Sequence, residues 1–145
     1  MRVVIMGCGR VGARVAVLLD HAGHDVSVID FEARAFRRLP QDFKGATILG
    51  TGIDEDVLRS AGIEDADAFV ALTNGDNRNI MAAQVARHVF QVPEVVCRIY
   101  DPVREDAYRR MGLTTVCPTT TMAAQVLEYV LSAIENAPSA LAAEQ

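Results

Sequence analysis

The chain has 145 residues, half of them hydrophobic and 23% charged, with a formal net charge of −5 at pH 7. That length suits one domain with a real core, and that balance excludes a mainly disordered chain. No basic run occurs, so the clustered Lys and Arg that neutralise phosphate backbones are missing and no nucleic acid is expected as a partner.

Residues Arg2 to Met6 (Arg-Val-Val-Ile-Met) read as a buried strand, because four adjacent apolar residues fit a strand packed on both faces. Gly7-Cys8-Gly9-Arg10-Val11-Gly12 follows at once. The pattern then changes to Val11, Val15, Leu18, Leu19 and Ala22, the spacing of a helix burying one stripe, which stops at Gly23. A second apolar strand, Val26 to Ile29, ends in an acid, Asp30.

This order has a chemical meaning. The first glycine permits a tight turn, the second lets backbone N–H groups approach a pyrophosphate, and the third lets helix and strand pack closely. Unpaired N–H groups at the helix start face the phosphates. A carboxylate at the end of the second strand accepts hydrogen bonds from ribose hydroxyls and repels a 2′-phosphate, which favours NAD or an adenine nucleotide over NADP.

Phe31 to Leu39 reads as a short polar helix before Pro40, with Arg34, Arg37 and Arg38 on a solvated face. Ala46 to Leu49 is a third strand ending in Gly50-Thr51-Gly52, where two glycines around a small hydroxyl leave room for a flat adenine ring; an ordinary turn has the same spacing. Asp54 caps a helix from Glu55 to Ser60. Ala68 to Leu72 is a fourth strand, ending in the turn Thr73-Asn74-Gly75-Asp76-Asn77. A helix from Asn79 through Phe90 carries Met81, Val85 and Val89 in one row and Ala82, Ala86 and Phe90 in the next.

Val95 to Tyr100 is a fifth strand holding Arg98, a costly residue inside a sheet unless an anion meets it. That anion is a ligand phosphate or a core carboxylate; the strand's C-terminal end lies where open parallel sheets bind ligands, which favours the phosphate. A helix from Asp101-Pro102 to Met111, a sixth strand Thr115 to Cys117, and a last helix from Thr119 to Glu135 complete the pattern. The last helix has an apolar band too wide for one sheet face, Met122, Val126, Val130 and Ile134 beside Ala123, Leu127 and Leu131, so it is expected to meet a partner subunit. Asn136 to Gln145 reads as a mobile tail.

Strands and helices alternate six times, which predicts an α/β, Rossmann-type doubly wound parallel sheet of order 3-2-1-4-5-6 over residues 1–135. The apolar N-terminus is only a strand long before Gly-Cys-Gly-Arg, so no secretory signal is read, and Thr119 to Ile134 is short of a membrane span. Cys8, Cys97 and Cys117, never in a CxxC, fit small core residues of a reducing cytoplasm. No metal-ligand spacing and no nucleophile elbow occurs. His21, His24 and His88 fall away from the glycine turn or on a polar helix face, so no catalytic residue is assigned.

The glycine loop, Asp30, the run Ala61-Gly62-Ile63-Glu64-Asp65-Ala66-Asp67-Ala68, Thr73 to Asn77 with Asn79-Ile80, and Arg98-Ile99-Tyr100-Asp101-Pro102 with Gly112 together resemble the RCK or KTN domains of potassium-transport regulators. The likeness is to the N-terminal lobe of the Trk-type regulatory subunit. It implies a cytoplasmic, non-enzymatic sensor at the inner face of the membrane, which binds NAD(H), or ATP/ADP, and gates a potassium channel or transporter subunit. It further implies that Gly7, Cys8, Gly9, Arg10 and Val11 hold the phosphates, Asp30 the ribose, and Thr51 and Gly52 the adenine edge, with Gly12 and Phe31 in the same cofactor-binding set. Thr73 and Asn74 would serve the central part of the ligand and Arg98 a phosphate or ribose, with Asn79 counted among the cofactor-binding residues. The helix from Thr119 to Glu135 resembles a crossover helix that assembles dimers into rings. Thr51 and Thr119 stand where many relatives have acids, the second of which weakens a cation-assisted ATP mode, and the family's small C-terminal lobe is not in the sequence. The alternative is an NAD-dependent oxidoreductase fragment without its substrate domain; a purely structural assembly module comes third, disfavoured by Asp30 and Arg98.

Overall fold

The structure, a computed structural model, describes residues 1–137. The chain runs β1 (Arg2–Met6), α1 (Arg10–His21), β2 (Asp25–Asp30), a 3₁₀ segment (Ala33–Arg38), β3 (Ala46–Leu49), α2 (Glu55–Ser60) and a 3₁₀ turn (Ile63–Asp65). It continues through β4 (Ala68–Ala71), α3 (Asp76–His88), β5 (Glu94–Arg98), α4 (Pro102–Arg110), β6 (Thr114–Val116) and α5 (Pro118–Glu135). Every strand pair is parallel, and the order is β3-β2-β1-β4-β5-β6, as the alternation predicts.

Because successive side chains of a strand point to opposite faces, β1 divides its apolar residues between two cores. Val3 and Ile5 join Ala13, Ala16, Val26 and Val28 beneath α1. Val4 and Met6 join Leu58, Phe69, Ile80, Ala82 and Cys97 beneath α2 and α3. The chain leaves β1 towards β2 and returns at β4, so the C-terminal ends of β1 and β4 lie side by side, Met6 opposite Ala71. That is the topological switch point, where open α/β sheets form their crevice.

The helices pack closer than the periodicity suggests. On α1 the buried residues are Gly12, Ala13 and Ala16, while Val11 and Leu18, expected in the buried stripe, are exposed. A Cβ at Gly12 would stand 1.8 Å from the Gly7 carbonyl oxygen, so only small residues fit this face. Likewise α3 begins at Asp76 rather than Asn79 and buries Asn79, Ile80, Ala82, Ala83 and Ala86; Met81 and Val89 face outward. β5 ends at Arg98 instead of Tyr100, and β6 lies one residue earlier than its sequence pattern suggests.

The last helix differs from the others, because α5 buries none of its residues. Met122, Val126, Leu127, Tyr129, Val130, Leu131 and Ile134 are all exposed large hydrophobics. Its first turn is tied down by the Thr119 hydroxyl, which donates to the Tyr100 carbonyl at 2.8 Å, and by Thr121 N–H to the Cys117 carbonyl. On the sheet, Ala68, Val70 and Val96 are only half-buried, so the face of β4 and β5 opposite α3 is thinly covered. Among the described residues no helix is long and apolar enough to cross a membrane. From Pro138 onward the expected tail lies outside the described residues.

Candidate functional site

The crevice at the switch point is a cleft of about 250 Å³. Eight residues singled out from the sequence line it: Gly7, Cys8, Gly9, Asp30, Phe31, Thr73, Asn74 and Arg98. Three loops converge here, after β1, β2 and β4, with Arg98 reaching in from the end of β5.

The glycine loop is shaped for its turn and for an approach from outside. Gly7 has φ +106°, a conformation that favours glycine, and its N–H donates to the Ile29 carbonyl at 2.8 Å. Gly9 is different: its φ of −76° suits any residue and a Cβ there would meet nothing within 4 Å. Neither backbone conformation nor internal packing demands glycine at that position, so its bareness leaves open space in front of α1. No side chain caps α1, so its first-turn N–H groups remain available to an anion. Gly12 lies buried beneath the loop and Val11 is exposed without lining the cleft.

Asp30 closes the loop on its other side. One carboxylate oxygen accepts from Cys8 N–H at 2.8 Å and the other from Glu32 N–H at 2.8 Å. Each oxygen keeps a lone pair for a hydroxyl. The carboxylate therefore joins the end of β2 to the glycine loop while facing the cleft. Burial, then the charge of Asp30, push the Cys8 thiol up to about 11, so it is neutral at physiological pH and no ready nucleophile.

Arg98 is only 8% exposed and meets no carboxylate among the described residues, which disfavours the core-carboxylate alternative. Its guanidinium instead donates to the Leu72 carbonyl and to the Thr73 carbonyl, the latter at 2.9 Å, and lies 4.9 Å from the Tyr100 ring centroid. Backbone carbonyls satisfy its protons but leave its charge uncompensated at the cleft wall.

Asn79 does not reach the cleft. It is completely buried, accepts from Thr73 N–H at 3.0 Å and from the Thr73 hydroxyl at 2.6 Å, and donates to the Thr73 and Arg98 carbonyls at 2.8 and 2.9 Å. Its role is to clamp the loop after β4 to the end of β5, so that Thr73 and Asn74 hold their places in the wall. Thr51 and Gly52 line a narrow crevice of about 10 Å³ that adjoins the cleft through Gly7, Asp30, Phe31 and Thr73 and has room for about one water. Phe31 closes it, with Arg78 stacked 5.1 Å from the ring centroid and hydrogen bonded to Asn74 Oδ1 at 3.1 Å. A flat ring enters there only if Phe31 and Arg78 part.

Two arginines escaped the sequence reading, Arg38 in the cleft wall and Arg78 in the narrow crevice adjoining it. Arg38, placed there on a solvated face, lines the cleft because the 3₁₀ segment turns its C-terminal end back towards the glycine loop. Arg78 sits in the first turn of α3, and its proximity to Phe31 depends on the β2 and β4 loops meeting, a tertiary event with no local signal. His21, exposed, pairs with Asp42 and His24, half-buried, with the N-terminus, both away from the cleft.

Sheet order, glycine turn and terminal acid together define a Rossmann-type α/β domain. More particularly, the chain belongs to the TrkA-N domain family, whose model matches residues 3–119. The Trk system potassium uptake protein TrkA of Streptomyces coelicolor is 50% identical over 131 residues, covering 90% of this chain and 59% of that protein. This chain thus spans under two thirds of that relative. Among solved structures, the Shewanella denitrificans Kef C-terminal domain in AMP-bound form superposes with a TM-score of 0.80 at 24% identity, covering 94% of this chain and 84% of that one. The GsuK channel bound to NAD gives a TM-score of 0.74 at 25% identity, covering 92% of this chain and 24% of that one.

Proposed function

We propose that this chain is the nucleotide-sensing lobe of a regulatory subunit of a potassium uptake system, binding NAD(H), or ADP and ATP, without turning them over. The observation that carries the reading is the cleft: a bare Gly9 before an uncapped helix start, Asp30 on one side and the uncompensated charge of Arg98 on the other. Gly7 to Val11 hold the phosphates, Asp30 takes the ribose hydroxyls, and Arg98 meets a phosphate or the second ribose. The nucleotide supplies a charge and a shape to be sensed. What supports sensing over catalysis is the absence, among the described cleft residues, of a histidine or an activated thiol.

A sensor needs a route from ligand to partner, and one is built in. Arg98 stacks on Tyr100, whose carbonyl receives the Thr119 hydroxyl of α5. Asp76, at the start of α3, holds the same loop through Tyr100 N–H at 2.8 Å and Asp101 N–H at 3.2 Å. A ligand that draws Arg98 towards its phosphate shifts Tyr100 and with it the root of α5. The exposed apolar band of α5 then serves self-association, its natural receptor being the half-covered face of β4 and β5 on a second copy. In this reading the assembly sits at the inner face of the membrane through a potassium channel or transporter subunit, whose gate follows the nucleotide.

The test is calorimetric titration of NAD, NADH, NADPH, ATP and ADP into the purified chain. The expected result is micromolar-range binding of non-phosphorylated-ribose ligands, weaker NADPH, and no consumption of any of them. A chain that binds none of the five refutes the sensing role.

A further inference from the structure

A second concavity of about 370 Å³ lies on the outer side of α1, against the end of the 3₁₀ segment. Arg10, Arg14 and Arg38 line it over a floor of Ala13, Val17, Leu18 and Pro40. Its arginines are unusual in this protein. Arg10, Arg14, Arg37 and Arg38 make neither an ion pair nor a side-chain hydrogen bond among the described residues, whereas every other arginine reaches a carboxylate, an amide oxygen or a backbone carbonyl. A chain of net charge −5 has acids to spare. Three of the four uncompensated cations nevertheless converge on one hollow.

The convergence has a cost. Arg10 and Arg14 stand four apart on one helix, where like charges repel by a few tenths of a kcal/mol, and Arg38 adds a third charge from another element. A solvated arginine face spreads its charges over a convex surface; here they ring an apolar floor. A guanidinium's planar donors match carboxylate and phosphate oxygens in pairs. The hollow's size falls within the range of small-ligand sites, and its walls come from one helix and one short segment, too little for an extended acidic peptide.

We propose that this groove is a second anion site, taking a small organic phosphate or carboxylate whose charges meet Arg14 and Arg38 and whose apolar body rests on Ala13, Val17 and Leu18. It binds beside the nucleotide, not in place of it. Arg38 lines both the groove and the main cleft, so the two ligands share one wall and each is sensed by the other through that side chain. The anion site stands on its own observations; only the coupling rests on the nucleotide reading.

The experiment titrates inorganic pyrophosphate, and separately citrate, into chain already saturated with NADH, by calorimetry and thermal shift. Arg14→Glu reads the groove, since Arg14 lines it and not the main cleft; Arg34→Glu, exposed and outside both, makes the same change in net charge. The expected result is binding of at least one probe that Arg14→Glu weakens tenfold or more and Arg34→Glu leaves within twofold, with NADH affinity unchanged in both. Pyrophosphate alone assigns a phosphate ligand, citrate alone a carboxylate. Equal loss in both variants, direct competition with NADH that ignores Arg14→Glu, or no binding of either probe overturns the proposal. Should NADH itself fail to bind, the nucleotide reading falls, and the same comparison on the unliganded chain still decides the groove.

Discussion

Replacing Asn79 by alanine tests whether the cleft wall is held from behind. The side chain is fully buried and engages four groups: the N–H, hydroxyl and carbonyl of Thr73 and the carbonyl of Arg98. After truncation the Thr73 carbonyl keeps Arg98 as donor, and the Thr73 hydroxyl can turn to the Gly75 carbonyl, 3.5 Å away. The Thr73 N–H loses its partner, and the Arg98 carbonyl keeps only the weak Cys97 thiol donor at 3.8 Å. At about 1–3 kcal/mol for each of these two groups, the expected loss is about 2–6 kcal/mol, a fall in Tm on the order of 10 °C for a domain of this size. Chemical denaturation followed by circular dichroism measures it. Asn79→Asp keeps the acceptor for Thr73 N–H but loses both donated bonds, and should also be strongly destabilised. Because Thr73 and Asn74 lose their anchor, ADP affinity should fall together with stability. A loss under 1 kcal/mol in Asn79→Ala, with an unchanged denaturant slope, would refute the clamp.

Asp30→Ala removes the acceptor of Cys8 N–H and Glu32 N–H as well as the ribose contact, so NADH and ADP affinities should both fall at least tenfold by calorimetry; unchanged NADH affinity sinks the ribose assignment. Replacing Val126 and Val130 by glutamate on the exposed band of α5 should lower the oligomeric mass measured by light scattering while leaving Tm of the lobe nearly unchanged, since neither side chain is buried within its own domain. Tyr100→Ala should spare nucleotide affinity within a few-fold yet abolish any nucleotide-dependent change in that mass. The cysteines set a pH dependence: burial, the larger cause, with Asp30 and Asp76 respectively, pushes Cys8 up to about 11 and Cys97 up to about 12 from 9.0. Below pH 9 both folded and unfolded thiols stay protonated; between 9 and 12 the unfolded chain releases protons the fold retains, so stability falls as pH rises. Cys8→Ala and Cys97→Ala should each flatten that decline in denaturation curves recorded from pH 8 to 11.

Much of the molecule is legible in the chain because the deciding interactions are local. β1, the glycine turn, α1 and Asp30 follow one another within thirty residues, so their order alone announces a strand-turn-helix-strand unit, and repetition of that unit dictates a parallel sheet with its switch point between β1 and β4. The wide apolar band of α5 was legible for the same reason. Tertiary structure decided the rest. Which face of α1 and α3 turns inward depends on how near the sheet stands, and that nearness, set by contacts such as Gly12 on Gly7, admits alanine and turns Val11, Leu18, Met81 and Val89 outward against the simple periodicity. Asn79 looked like a ligand residue because its partners, nineteen positions away at Arg98 and across the turn at Thr73, meet only when β4 and β5 pair. Arg38 reached the cleft, Arg78 the narrow crevice adjoining it and Arg14 the groove beside it, because separate loops converge at one edge of the sheet, a closeness that no spacing along the chain encodes.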